Sequence, residues 1–254
     1  MTSIMKNKLR SLLPYAIAVT LLLLVWEVLA RTVNVSFIVP PLSEIFAVLF
    51  GLVFTAHFWT SIFLSLLRIT MGFVIGVVLS LALAICAHFF KPLEYLLTPI
   101  VTVIRCTPVA SFIMILWLLL SEAVIPSLIA VLIVFPVVWQ SAHDAMHEPD
   151  KELLEMVEIY NFTPSKKLWY LTVPTMIKGV LPAIITASGL AWKSGIAAEI
   201  ITYTKHSIGR EIANAKFFLM GEELLAWTFV VVLLSFIVEI LIKLLLRKAA
   251  KIWE

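Results

Sequence analysis

Apolar residues along this chain come in long unbroken runs, not in the alternating pattern of a half-buried strand. A membrane-crossing helix needs about 20 mostly apolar residues. Six runs meet that length: 12–30, 62–88, 95–120, 123–140, 180–201 and 225–246. The second is most apolar over Ile69–Ala87. The third is interrupted by Pro99 and by Arg105-Cys106-Thr107-Pro108. In lipid every backbone polar group must be bonded within its own segment, so continuous runs predict helices. A barrel would alternate residue by residue. The pattern therefore predicts an all-α membrane protein with six transmembrane helices. Lys6, Lys8 and Arg10 before the first run resemble the start of a signal peptide. Its apolar stretch is longer than the roughly 7–15 residues of such a segment, and no clean small-residue cleavage site follows, so it reads as a retained helix.

One stretch, 141–179, is polar enough to form a surface outside lipid. Asp150 is placed to cap a helix beginning at Lys151, with Glu152 favourable in its first turn. Leu153, Met156, Val157 and Tyr160 fall at helical spacing and form an apolar stripe, with Glu152, Glu155 and Glu158 on another face. Asn161 stands where a helix end needs a left-handed residue, which Asn tolerates better than most. Thr163-Pro164 restarts the chain as a cap followed by proline at the first helical position. A second short helix, Lys166 to Tyr170, is expected to stop at Pro174. An apolar stripe on such a hairpin fits either the membrane surface or a groove on a partner protein.

Composition sharpens this picture. Of the 254 residues, 62% are hydrophobic and 14% are charged, against about 25% charged in a soluble domain. An ordinary soluble domain, a disordered chain and a nucleic-acid binder are excluded. The net charge of +3 is small, so its distribution carries the information. Of the 19 Lys and Arg residues, 12 fall on the side that holds the N-terminus, 4 on the other side and 3 in or beside the runs. The positive-inside bias places both termini in the cytoplasm. Cys86 and Cys106 both sit in apolar runs and give neither a disulfide framework nor a metal motif.

Charged residues within the runs are costly and face protein or water. Arg105, with Thr107 and Pro108, marks a break whose freed backbone could line a cavity. Lys193, between Trp192 and Ser194 in the fifth run, has two readings. One is a cationic pathway lining; the other is a pair with Glu122 or Glu199, or a side chain reaching an interface. Arg68 reads as interfacial. Gly72 and Gly76 have the spacing for close helix packing. Glu199 and the mixed segment 201–224, with Lys205 and Arg210, form an outward-facing candidate contact. His143 and His147 at i and i+4 resemble half of a zinc protease motif, with Asp144 in place of glutamate. No further ligand motif appears, so no metal is expected. No phosphate-binding loop is present either, since Trp192 precedes Lys193-Ser194 where glycine is required.

These residues also carry a family pattern. Permease subunits of binding-protein-dependent ABC importers have a cytoplasmic loop of the form E-A-A, three residues, G, nine residues, I-x-L-P. Glu155-Met156-Val157, Asn161 and Leu171-Thr172-Val173-Pro174 keep that spacing, with Met-Val for the alanines and Asn for the glycine. Pro40-Pro41-Leu42-Ser43-Glu44, Ser65-Leu66-Leu67-Arg68 with Gly72, Arg105-Cys106-Thr107-Pro108, and Gly189-Leu190-Ala191-Trp192 with Ala197-Ala198-Glu199 resemble segments of the nitrate/sulfonate/taurine branch. The resemblance covers about residues 38–245.

The resemblance implies a type I ABC importer permease, with a coupling-helix loop between the fourth and fifth spans. It implies an N-terminal helix and external segment over 1–55, a permease core over 56–246 and a cytoplasmic tail over 247–254. Two ATP-binding subunits would dock on the 151–174 loop at Glu152, Leu153, Glu155, Met156, Val157, Tyr160, Asn161, Pro164 and Pro174. ATP and magnesium belong to those subunits, and this chain is expected to bind no cofactor and to catalyse nothing. The pathway would involve Arg105, Thr107, Pro108, Trp192, Lys193 and Ser194. An external substrate-binding protein would meet Glu199, Lys205 and Arg210. A second permease completes the pore in a bacterial plasma membrane, as a homodimer or, alternatively, with a related chain. The rival readings are an ATP-independent secondary transporter and a zinc protease built on His143 and His147.

Overall fold

The apolar runs fold as helices, as backbone bonding in lipid requires. In this computed structural model, residues 2–33, 38–147, 155, 157 and 159–250 are described, and among them there is no strand. The helices are α1 (Thr2–Val33), α2 (Leu42–Val53), α3 (Ala56–Phe89), α4 (Lys91–Cys106), α5 (Val109–Leu119) and α6 (Ile125–His147), then α7 (Pro164–Lys167), α8 (Val173–Thr202), α9 (Ile208–Phe217) and α10 (Gly221–Ala250). A π-helical segment, Leu168–Thr172, joins α7 to α8. Among the described residues, four stretches are long and apolar enough to cross a membrane: Ala56–Phe89, Ile125–His147, Leu168–Thr202 and Gly221–Leu246. The α4–α5 pair, bent by 102°, makes a fifth if counted as one span. The first apolar run, 12–30, lies within α1.

The bend lies at Thr107-Pro108. Proline disfavours the helical region for the residue before it, and Thr107 is extended at φ −82°, ψ 131°. Its hydroxyl and N–H both donate to the Val103 carbonyl, at 2.7 and 3.0 Å, closing the end of α4. Pro99, by contrast, sits inside α4 without breaking it.

Two compact units divide the chain. The first comprises residues up to Phe58 with Glu211–Val230. In it, Glu27 accepts a hydrogen bond from the Leu42 N–H at 3.0 Å, and the Trp26 indole donates to the Pro40 carbonyl at 3.2 Å. A carboxylate at the first turn of α2 is favoured by the helix dipole. Phe58 packs on Trp227 with ring centroids 5.1 Å apart.

The second unit comprises Trp59–Arg210 with the residues from Val231 on. Its centre is a packed trio of α3, α6 and α8. α6 and α8 run antiparallel: Ile129 and Ala198 share one core cluster, and Ser141 donates to the Gly179 carbonyl at 3.0 Å. α3 runs parallel to α6, with Ser127 donating to the Arg68 carbonyl at 2.8 Å and Ser80 to the Phe135 carbonyl at 3.1 Å. Gly72 and Gly76 make this approach possible. A Cβ on Gly72 would strike the Ser127 backbone oxygen and lie 2.8 Å from the Ala130 Cβ; one on Gly76 would lie 2.9 Å from the Val134 Cβ.

The 141–179 stretch is less loop-like than its polarity suggests. α6 continues to His147, residues 155, 157 and 159 are helical, and helix begins again at Pro164. Pro174 does not end the second helix, contrary to expectation. The π segment widens the turn before it, with the Val173 N–H bonded five residues back to Leu168. That widening removes the clash between a proline ring and the carbonyl four residues earlier.

Candidate functional site

At the α4–α5 break, four of the six expected pathway residues come together. Arg105, Thr107, Lys193 and Ser194 line one cavity of about 480 Å³, closed by Ile133, Pro136 and Val137 of α6 and by Leu190 and Ala197 of α8. Arg105 lies in the last turn of α4 and Lys193 in the second half of α8, and both side chains are exposed on this single chain. Neither forms an ion pair among the described residues. The acids considered as partners for Lys193 are engaged elsewhere: Glu122 lies 4.0 Å from Lys205, and Glu199 is held by α3. The cavity therefore carries two cationic groups without a neutralising carboxylate.

The other two residues differ. Pro108 creates the bend as the residue before α5 but is not among those lining the cavity. Trp192 points away from it. Its ring is buried, its indole donates to the Val231 carbonyl at 3.1 Å, and it borders a separate apolar cavity of about 570 Å³ with Phe63, Leu66 and Leu234. On a helix, adjacent positions 192 and 193 face about 100° apart.

Of the docking-loop residues, Glu152, Leu153 and Met156 lie outside the described residues. Asn161 is left-handed at φ 47°. The Phe162 N–H donates to the Val157 carbonyl at 3.1 Å, the long bond of a Schellman cap. Thr163 supplies the carbonyl that accepts the Lys167 N–H at 2.9 Å, with Pro164 opening α7. Glu155 is exposed. The apolar stripe splits: Val157 is 7% exposed and faces inward, whereas Tyr160 is 71% exposed. Pro174 lies in the first turn of α8.

Glu199, expected at an external contact, is instead fully buried at 0% exposure. No surface partner can reach it. One carboxylate oxygen accepts from the Ser65 hydroxyl at 2.8 Å and the Gly209 N–H at 3.1 Å. The other faces Arg68 Nη1 at 3.9 Å. Ser65 in turn accepts from the Ile208 N–H at 2.9 Å, and Arg68 donates to the carbonyls of Lys205 and His206. Arg68 is thus an internal clamp as well as a residue near the end of the bundle. The sequence offered the cluster one unread signal, Ser207 two residues before Gly209: Ser207 caps α9 by accepting the Arg210 N–H at 3.0 Å, and a Cβ on Gly209 would lie 2.6 Å from the Ile200 nitrogen. Lys205 and Arg210 do remain near the surface, Lys205 beside Glu122 and Arg210 over the Tyr203 ring at 4.8 Å.

At the opposite end of the same helices, His143 and His147 are joined by Glu94, a residue the sequence reading missed. One nitrogen from each histidine and one carboxylate oxygen lie within 4.8 Å of one another. Nothing in local spacing links 94 to 143, because the approach of α4 to α6 creates the group.

A family model described as the binding-protein-dependent transport system inner membrane component matches residues 72–251. A Bacillus subtilis protein named as an aliphatic sulfonates transport permease is 24% identical over 230 residues, covering 89% of this chain and 83% of that protein. The taurine transport system permease protein of Escherichia coli is 23% identical over 195 residues, covering 76% and 70%. A crystal structure described as that of an amino acid ABC transporter with histidines superposes with a TM-score of 0.61 at 16% identity, over 77% of this chain and 92% of that one.

Proposed function

Since the chain belongs to the family of binding-protein-dependent transport system inner membrane components, we propose that it is the permease subunit of an ATP-driven importer whose cargo is a small organic anion of the sulfonate class. One observation carries the cargo class: Arg105 and Lys193 line a single cavity at a broken helix with no carboxylate beside them. A pair of cations with no carboxylate beside them attracts anions, the more so where lipid and a partner copy limit the water around them. A sulfonate is ionised at every physiological pH. The two relatives named for sulfonates and taurine lend this reading support.

In this reading two copies line one pathway, each with six spans and both termini in the cytoplasm of a bacterial cell. Separate ATPase subunits, holding ATP and magnesium, dock on the 151–174 loop. An external binding protein delivers cargo near Lys205 and Arg210. The cargo test is uptake of labelled taurine or an alkanesulfonate into proteoliposomes holding the complete complex. Arg105→Gln and Lys193→Gln are each expected to lower uptake about ten-fold, the worth of one charged hydrogen bond. Full uptake by the double variant would overturn the cationic pathway.

The loop yields a second expectation. Asn161→Pro removes the left-handed cap and, with Glu155→Lys as a companion, is expected to leave the protein in the membrane but break the link between ATP hydrolysis and uptake. Simultaneous assay of phosphate release and transport checks this. Unchanged transport per ATP in both variants refutes the docking role.

A further inference from the structure

We propose that Glu94, His143 and His147 form a site for one divalent transition-metal ion of the zinc class, tying the start of α4 to the end of α6. The inference rests on these side chains alone and is independent of the transport reading. Two imidazoles and a carboxylate are a donor set suited to zinc and its neighbours. Tetrahedral bonds of about 2.0–2.1 Å place ligand atoms a little over 3 Å apart. His143 Nε2 is 3.1 Å from Glu94 Oε1, and His147 Nε2 is 3.8 Å from Glu94 Oε2. All three ligand atoms lie within 4.8 Å of one another, so the set closes on an ion by drawing His147 inward.

The rings are already held in the ligating orientation. His147 Nδ1–H donates to the His143 carbonyl at 2.8 Å, which leaves Nε2 as the acceptor nitrogen of the ring. His143 Nδ1 faces the Asp144 carboxylate at 3.4 Å, an outer partner of the kind that orients metal-binding histidines. The His143 ring is stacked between His147 at 4.1 Å and the buried Trp139 at 5.0 Å. A cation already occupies this position: the Lys91 ammonium lies 2.9 Å from Glu94 Oε2 and 3.3 Å from His147 Nε2. Lys91 is 56% exposed and sits on a flexible stem, so it swings out when a metal ion takes its place. His88 stands beside the group, its ring 5.5 Å from His147 and its buried Nδ1 atom without a hydrogen-bond partner among the described residues.

The test uses the full-length chain in detergent, purified without a polyhistidine tag and titrated with Co²⁺ by visible absorption, then with competing Zn²⁺. One ion per chain is expected. Glu94→Gln, nearly isosteric, and His143→Ala should each weaken binding at least ten-fold, and His57→Ala should not. Lys91→Met should tighten binding, because a competing cation has been removed. If native protein and the Lys91→Met variant both fail to bind, the cluster is an ion-pair network and the proposal is wrong. Binding that survives Glu94→Gln with His143→Ala marks adventitious surface metal and overturns it equally.

Discussion

Replacing Glu199 by alanine is expected to strip the protein of a large share of its stability. The carboxylate is fully buried and receives hydrogen bonds from Ser65 on α3 and from the Gly209 backbone. Its removal leaves both donors unsatisfied and the neighbouring Arg68 charge without its counter-ion. Breaking a buried pair by deleting one partner costs about 3–5 kcal/mol. That is a large share of the roughly 5–15 kcal/mol that holds a domain together. Glu199→Gln keeps an acceptor for Ser65 and Gly209 and should lose far less. Thermal unfolding in detergent and the amount recovered in the membrane measure both. An alanine variant that melts with the native protein would refute the anchoring role.

Gly72→Val should be nearly as damaging. A Cβ at this position runs into the Ser127 carbonyl oxygen and the Ala130 Cβ. The carbonyl belongs to helix backbone and cannot rotate aside as a side chain would. Overpacking costs typically about 1–3 kcal/mol, and more when the neighbour is fixed. α3 and α6 must then separate, which also strains the Ser127–Arg68 and Ser80–Phe135 hydrogen bonds above and below. Gly51→Val serves as the control, because a Cβ there meets nothing within 4 Å. Equal melting temperatures for the two variants would disprove the close approach.

Helical character, the break at Thr107-Pro108, the Gly72/Gly76 contact and the Asn161 cap were all legible in the sequence. Each depends on local chemistry: continuous apolarity, the steric demand of proline, the missing Cβ of glycine, the left-handed tolerance of asparagine. α2 escaped notice because its apolar stretch is too short to span a membrane. α9 was hidden behind charged residues whose Ile208 and Ala215 nevertheless point inward. Glu199 could not be read as buried, since what makes its burial tolerable is Ser65, far away in the chain. The same holds for Glu94, which meets His143 only through folding. Arg105 and Lys193 were each flagged as costly in lipid, but their sharing of one cavity is a tertiary fact.

The unbroken helical path from Leu168 to Thr202 has a mechanical meaning. The path is 35 residues and about 50 Å long, and it carries Pro174 and Pro182 within it, so a displacement near Leu168 runs toward Lys193 and Glu199 along a helix whose one internal kink point is Pro182. α4 and α5, by contrast, are folded sharply at Thr107. The cavity at Arg105 and Lys193 is thus bounded by a continuous helical shaft on one side and a broken pair on the other. The π turn sets the angular phase of that shaft: the added residue fixes which direction Lys193 faces for a given orientation of Trp169 and Tyr170.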